Sequence, residues 1–176
     1  MVETTLVSIA ALVAIGAQAA AQAPRPRPEP IAWTTNWFYA DAKRNFLEAA
    51  ELMPAEDYGF KPAVDVRSFG QIVGHIANWQ FTNCSAAKGE QNPNKKDLEK
   101  SESKAEIVDG IKAAYAYCDE VFKSLDLDRL SATSGGSPVM FRAMSALAHP
   151  YLHYGNLITY LRLKGIVPPS TARRGG

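Results

Sequence analysis

The chain has 176 residues, enough for one domain with a real core and too few for two comfortable ones. Apolar residues make up 47% and charged residues 21%, an ordinary globular composition. The formal net charge is +1, from 19 basic and 18 acidic side chains. These are scattered rather than clustered, which excludes the basic face of a nucleic-acid binder.

Residues 1–23 differ from the rest. "LVSIAALVAIGAQAAAQA" (6–23) is uncharged and ends in Ala21-Gln22-Ala23, which resembles a secretory signal peptide cleaved after Ala23. Its n-region departs from that pattern, holding Glu3 and no Lys or Arg. A retained anchor is the competing reading, but the run is short and Ala-rich for a span of ~20 residues. Export to the periplasm or medium is therefore expected, with no stable membrane association after cleavage. "PRPRPEP" then opens an extended linker at 24–31, of polyproline type.

Four helical segments follow, and no alternating strand competes with them. The first covers about 32–53, with Trp33, Trp37 and Leu47 at helical spacing, and Pro54 ends it. The second starts from Ser68 as N-cap and runs to Gly89, with Phe69, Ile72, Val73, Ile76 and Trp79 on its apolar face. The third begins near Ser103, where Glu106 completes a capping-box pattern. Its apolar face carries Ile107, Ile111, Ala114, Cys118, Val121 and Phe122. After "SATSGGSP" (131–138) the fourth runs from about Met140 to Lys164, closed by Gly165 and then Pro168-Pro169. Four helices of this length make a bundle.

"KGEQNPNKKDLEKSE" (88–102) separates the second and third helices and is too long for a tight hairpin. The mixed-sign run 95–106, which overlaps its end, reads as a solvated loop entering a helix. Cys84 and Cys118, the only cysteines, each lie roughly 23 Å from the start of their own helix. Were the two helices parallel, the cysteines would be level and could bridge; antiparallel, they would miss by on the order of 20 Å. Export favours the Cys84–Cys118 disulfide. Two buried free thiols are the alternative.

The three histidines are His75, His149 and His153. His149 and His153 lie within about 40° of each other around a helix, on a face shared with Ala146, Leu157 and Tyr160. His75 stands at the edge of the apolar arc of the second helix. Buried imidazoles need partners, and few inward acids are in evidence. A divalent ion such as Zn²⁺ or Ni²⁺ satisfies all three, and three protein ligands leave one position open. The motif is not that of H-E-x-x-H proteases, because Pro150, Tyr151 and Leu152 separate the pair. Pro150 should kink the helix.

"SFGQIVGHIANWQF" (68–81) and "HPYLHYGNLITYLRLKGIVPPS" (149–170) resemble the second- and fourth-helix motifs of the DinB/YfiT-like superfamily. The resemblance spans about 32–170. It implies an all-α four-helix bundle in up-down-down-up order, with parallel second and third helices. It also implies a metal triad matching His75, His149 and His153, and zinc or nickel as the ion. Some members of that family are thiol S-transferases, some relatives are hydrolase- or isomerase-like, and the family name, which refers to induction by DNA damage, implies no DNA binding. Pro150, the signal-like N-terminus and the disulfide are departures from its pattern, and export counts against a cytosolic thiol cosubstrate.

The expected organisation is a signal peptide at 1–23, a linker at 24–31, the bundle at 32–170 and a disordered tail at 171–176. The expected function is an exported metal-dependent enzyme, hydrolase- or transferase-like, acting on a small molecule of unidentified class. The alternative is a non-catalytic metal-binding or structural bundle. Trp37, Asn78, Trp79 and Tyr160 are the expected pocket residues. No general base can be assigned, and a homodimer is compatible with such bundles.

Overall fold

The computed structural model describes residues 29–174, so the signal sequence at 1–23 and most of the linker at 24–31 lie outside the described residues. In chain order the helices are α1 (Pro30–Leu52), α2 (Phe69–Lys88), α3 (Lys104–Lys123), α4 (Leu127–Ser131), α5 (Val139–Leu163) and α6 (Pro169–Ala172). The four long ones, α1, α2, α3 and α5, share one core. Among the described residues no helix is long and apolar enough to cross a membrane.

Local chemistry explains the boundaries. The last two linker residues, Pro30 and Ile31, already belong to α1. The Glu29 carboxylate accepts the amides of Ile31 and Ala32 at 3.0 and 2.7 Å, and Pro30 occupies the first turn, where its missing N–H costs nothing. A full capping box forms at α2. Ser68 Oγ accepts from Gln71 N at 3.2 Å, and Gln71 Oε1 accepts from Ser68 N at 2.8 Å. The box expected at Ser103 forms only in half. Ser103 Oγ accepts from Glu106 N, but the Glu106 carboxylate is taken by Lys96 and Ser101 instead. Between α4 and α5, a two-residue antiparallel ladder pairs β1 (Thr133–Ser134) with β2 (Ser137–Pro138). It was not expected; Gly135 and Gly136, at φ +54° and +76°, make the left-handed two-residue turn that hairpins prefer.

The buried stripe of α1 is Tyr39, Ala42, Phe46 and Ala49, continued by Met53 just past its end. Trp33 and Trp37 are not on it: they are 57% and 54% exposed. Trp37 stands two residues before Tyr39, which at 100° per residue turns it about 200° away from the core. The tail expected to be disordered at 171–176 begins with ordered residues. Pro169 opens α6, and the Arg173 guanidinium pairs with Glu48 and Asn45 of α1.

Contacts climb α2 and α3 together. Gly70 packs against Ile107 near both starts, Phe81 faces Tyr117, and Lys88 pairs with Glu120 near both ends at 2.7 Å. Against α1, the order along α3 reverses: Tyr39 stacks on Phe122 at 3.7 Å, while Lys104 Nζ donates to the Glu51 and Met53 carbonyls. The order also reverses between α2 and α5, where Asn83 meets Arg142 and Trp79 meets Ser145. Cys84 and Cys118 form the expected disulfide, with Cα atoms 5.3 Å apart and both residues buried.

The segment between α2 and α3 is not a purely solvated loop. Leu98 is buried and wedges between the two helices, where Gly74 and Gly110 make room for it. A Cβ on Gly74 would lie 2.2 Å from the Leu98 carbonyl oxygen, and one on Gly110 would lie 2.6 Å from Leu98 Cδ1. Asn78 completes the clamp, its Oδ1 accepting from Leu98 N at 3.2 Å and its Nδ2 donating to Asp97 at 2.7 Å. The wedge fixes the 3₁₀ turn Leu98–Lys100 against α2.

Replacing both cysteines by alanine should lower the unfolding free energy by roughly 4 kcal/mol, the order expected for a cross-link closing a loop of this size. Urea denaturation of the oxidised wild type beside the double variant measures it.

Candidate metal centre

His75 projects from α2, and His149 and His153 from α5. One ring nitrogen from each lies within 4.8 Å of the others. His75 Nε2 and His149 Nε2 are 3.0 Å apart, and the ring centroids are separated by 5.2, 5.0 and 4.6 Å. Nitrogens bound tetrahedrally at 2.0–2.1 Å would stand about 3.3 Å apart. The three imidazoles therefore fit one divalent ion after side-chain adjustments of about an ångström. His153 is buried, while His75 and His149 are half-buried, so the site opens on one side.

Each imidazole is oriented from outside. His75 Nδ1 is 3.0 Å from Glu99 Oε2. An Nδ1–H donated to that carboxylate leaves the Nε2 lone pair facing the other two rings, the arrangement usual behind metal-binding histidines. Glu99 in turn accepts from Arg67 Nε at 2.7 Å. The Asn156 amide lies 3.4 Å from His153 Nδ1. The Trp79 ring lies over His149, centroids 4.3 Å apart, and its Nε1 donates to the Ser145 carbonyl at 3.0 Å.

Glu99 was not anticipated, because its run of charges reads as solvent-facing. The signal was Leu98, a lone apolar residue in that run: the wedge that buries it carries its neighbour to His75.

The proline between His149 and His153 has a local consequence. Pro150 has no N–H, so it offers nothing to the carbonyl four residues back, that of Ala146. Gln80 Nε2 from α2 donates to that carbonyl at 2.9 Å, and Gln80 is fully buried. Trp79 and Gln80 thus donate to two successive carbonyls of α5, Ser145 and Ala146, one turn before the histidine pair. This pins the register of His75 against His149 and His153. α5 continues as a helix through Pro150.

The expected pocket residues separate. Trp79 packs on the site. Asn78 holds the loop that carries Glu99. Tyr160 lines a cavity beside His153 and donates to the Arg67 carbonyl at 2.8 Å. Trp37 is elsewhere, its exposed ring set edge-on against Phe38.

Burial, and then the charges of His149, His75 and Arg67, push His153 down to about 4. Burial foremost, then His75 and Arg67, also lowers His149. Both are thus held as neutral imidazole, the form that binds metal.

Two measurements test this arrangement. A histidine depressed in the folded state binds its proton more readily when unfolded, so its contribution is present above about 6.5 and is lost as pH falls toward 4. The metal-free protein should lose roughly 2–3 kcal/mol across that window, and His153→Gln should flatten the profile. Gln80→Leu should cost about 1–3 kcal/mol by stranding the Ala146 carbonyl. In a Pro150→Ala background the restored amide takes that carbonyl, so the same substitution should cost clearly less. Equal costs in the two backgrounds, in a denaturation double-mutant cycle, would refute the link.

A family model described as the DinB superfamily matches residues 39–155. The crystal structure of a DinB-like protein from Bacillus cereus ATCC 10987 superposes with a TM-score of 0.63 at 18% identity, covering 78% of this chain and 93% of that one. At that identity the likeness shows the fold alone. No curated protein matches the chain. The family match covers all three histidines, the whole of α2 and α3 and the part of α5 that carries His149 and His153, and the chain belongs to the DinB superfamily.

Proposed function

We propose that the protein is an exported metal-dependent enzyme in which His75, His149 and His153 hold a zinc or nickel ion and act on a small molecule in a hydrolase- or transferase-like reaction. The observation that carries this reading is the convergence of three imidazoles, two of them held neutral by burial, on one half-open point. Among the described residues the metal-ligating group contains three side chains and no fourth, which suits a catalytic rather than a closed structural site. A divalent ion there would supply Lewis acidity and lower the pKa of a water or thiol.

The chain's own residues do the rest. Glu99 holds His75 in the tautomer that presents Nε2, Trp79 covers one face of His149, and Gln80 keeps the two helices in register. The order of contacts along the long helices supports an up-down-down-up bundle with α2 and α3 parallel. The Ala21-Gln22-Ala23 pattern and a cystine between buried positions support export to an oxidising compartment.

Full-length protein expressed with export and analysed by elemental mass spectrometry should carry about one equivalent of zinc or nickel per chain. His149→Ala and His153→Ala should each reduce it to background; stoichiometric metal surviving both would refute the triad. Glu99→Gln should weaken binding about 10- to 100-fold, as loss of an outer partner does. A panel of small esters, amides and thiol acceptors should then reveal chelator-sensitive turnover. Bound metal without turnover on any of them would favour the non-catalytic reading.

A further inference from the structure

A cavity of about 400 Å³ opens beside His153. Its wall includes Ile72, Asn156, Thr159, Tyr160 and Arg67. Arg67 is held at two points: its carbonyl accepts from the Tyr160 hydroxyl at 2.8 Å, and its Nε donates to Glu99 at 2.7 Å. Among the described residues its two terminal nitrogens have no hydrogen-bond partner, and the side chain is 44% exposed. A guanidinium anchored through Nε and free at its fork is preorganised to grip a planar anion with two parallel hydrogen bonds. The same carboxylate that anchors it also orients His75, so the fork and the imidazole cluster share one mount.

We propose that this cavity is the substrate subsite and that it binds a small molecule through a carboxylate, which Arg67 grips while the rest of the molecule faces the three histidines. The inference rests on the metal reading above and adds the chemical class of the substrate. A monoanion suits the site better than a phosphate dianion, because Asp65 also lines the cavity and Glu99 stands behind Arg67. Two nearby carboxylates oppose a second negative charge. Asn156 and Thr159 add polar groups to a lining that also includes the apolar side chain of Ile72.

The test uses the full chain loaded with cobalt(II), whose visible absorption reports its coordination, titrated with glycolate, its neutral amide glycolamide, and methyl phosphate. Wild type should respond to glycolate at a concentration at least tenfold below that for glycolamide. Arg67→Met should abolish the preference and Arg67→Lys should keep part of it. Because Arg67→Met also releases Glu99, a second variant, Thr159→Glu, places a negative charge on the cavity wall without touching either. It should weaken glycolate about tenfold and leave cobalt affinity unchanged. A preference for glycolate that survives in both Arg67→Met and Thr159→Glu overturns the assignment, as does tighter binding of methyl phosphate than of glycolate. Absence of cobalt absorption in the wild type sinks the metal reading itself, and this inference with it.

Discussion

Three imidazoles from two separate helices can meet at one point only if those helices keep a fixed register. Here the register is set where the backbone of α5 lacks one hydrogen. Pro150 leaves the Ala146 carbonyl without its usual intrahelical donor, and a buried amide from α2 fills the vacancy. Any slide of α2 along α5 would strand both the carbonyl and the Gln80 side chain in an apolar interior, where unpaired polar groups are costly. The proline that looks disruptive inside a helix therefore acts as an address. It marks a carbonyl inside the helix to which another helix can dock without competing against α5's own hydrogen bonds.

A second constraint acts from the opposite side of α2. Gly74 lies one residue before His75, and its missing side chain lets the backbone of the Leu98 turn press directly onto the helix. A segment that would otherwise trail through solvent is thereby drawn in, and Glu99 arrives behind the imidazole. α2 is thus the element on which the other parts converge. It meets α3 through Leu98 and the cystine, and α5 through the Trp79 and Gln80 donors.

Much of this is legible in the residues alone. Ser68, Gly89, Gly165 and the apolar spacing place the helices to within a residue or two, and the inward phase of His149 and His153 is a matter of 100° per residue. The level positions of Cys84 and Cys118 along their helices make their pairing legible once the direction of the helices is considered. What periodicity does not carry is the identity of partners distant in sequence. Glu99 is 24 residues from His75 and Gln80 is 66 from Ala146, and neither pairing leaves a local pattern. Trp33 and Trp37 mislead for a related reason: size and hydrophobicity mark them as core, but the face of α1 that packs is set by what α3 and α5 present to it. Solvent keeps those two rings because the stripe through Tyr39 and Phe46 fills the available volume.

The difference in exposure between the two cross-linking sites carries a consequence for biogenesis. The sulfurs of Cys84 and Cys118 belong to residues with about 1% and 0% of their surface accessible, so an oxidant has no route to them once α2 and α3 have packed. His75 and His149 keep part of their surface in the finished fold. Oxidation is accordingly easiest before α2 and α3 pack, whereas the imidazoles stay reachable from solvent afterwards. A chain that packs before its thiols are oxidised would be locked in the reduced form until it reopens, however much metal is then offered.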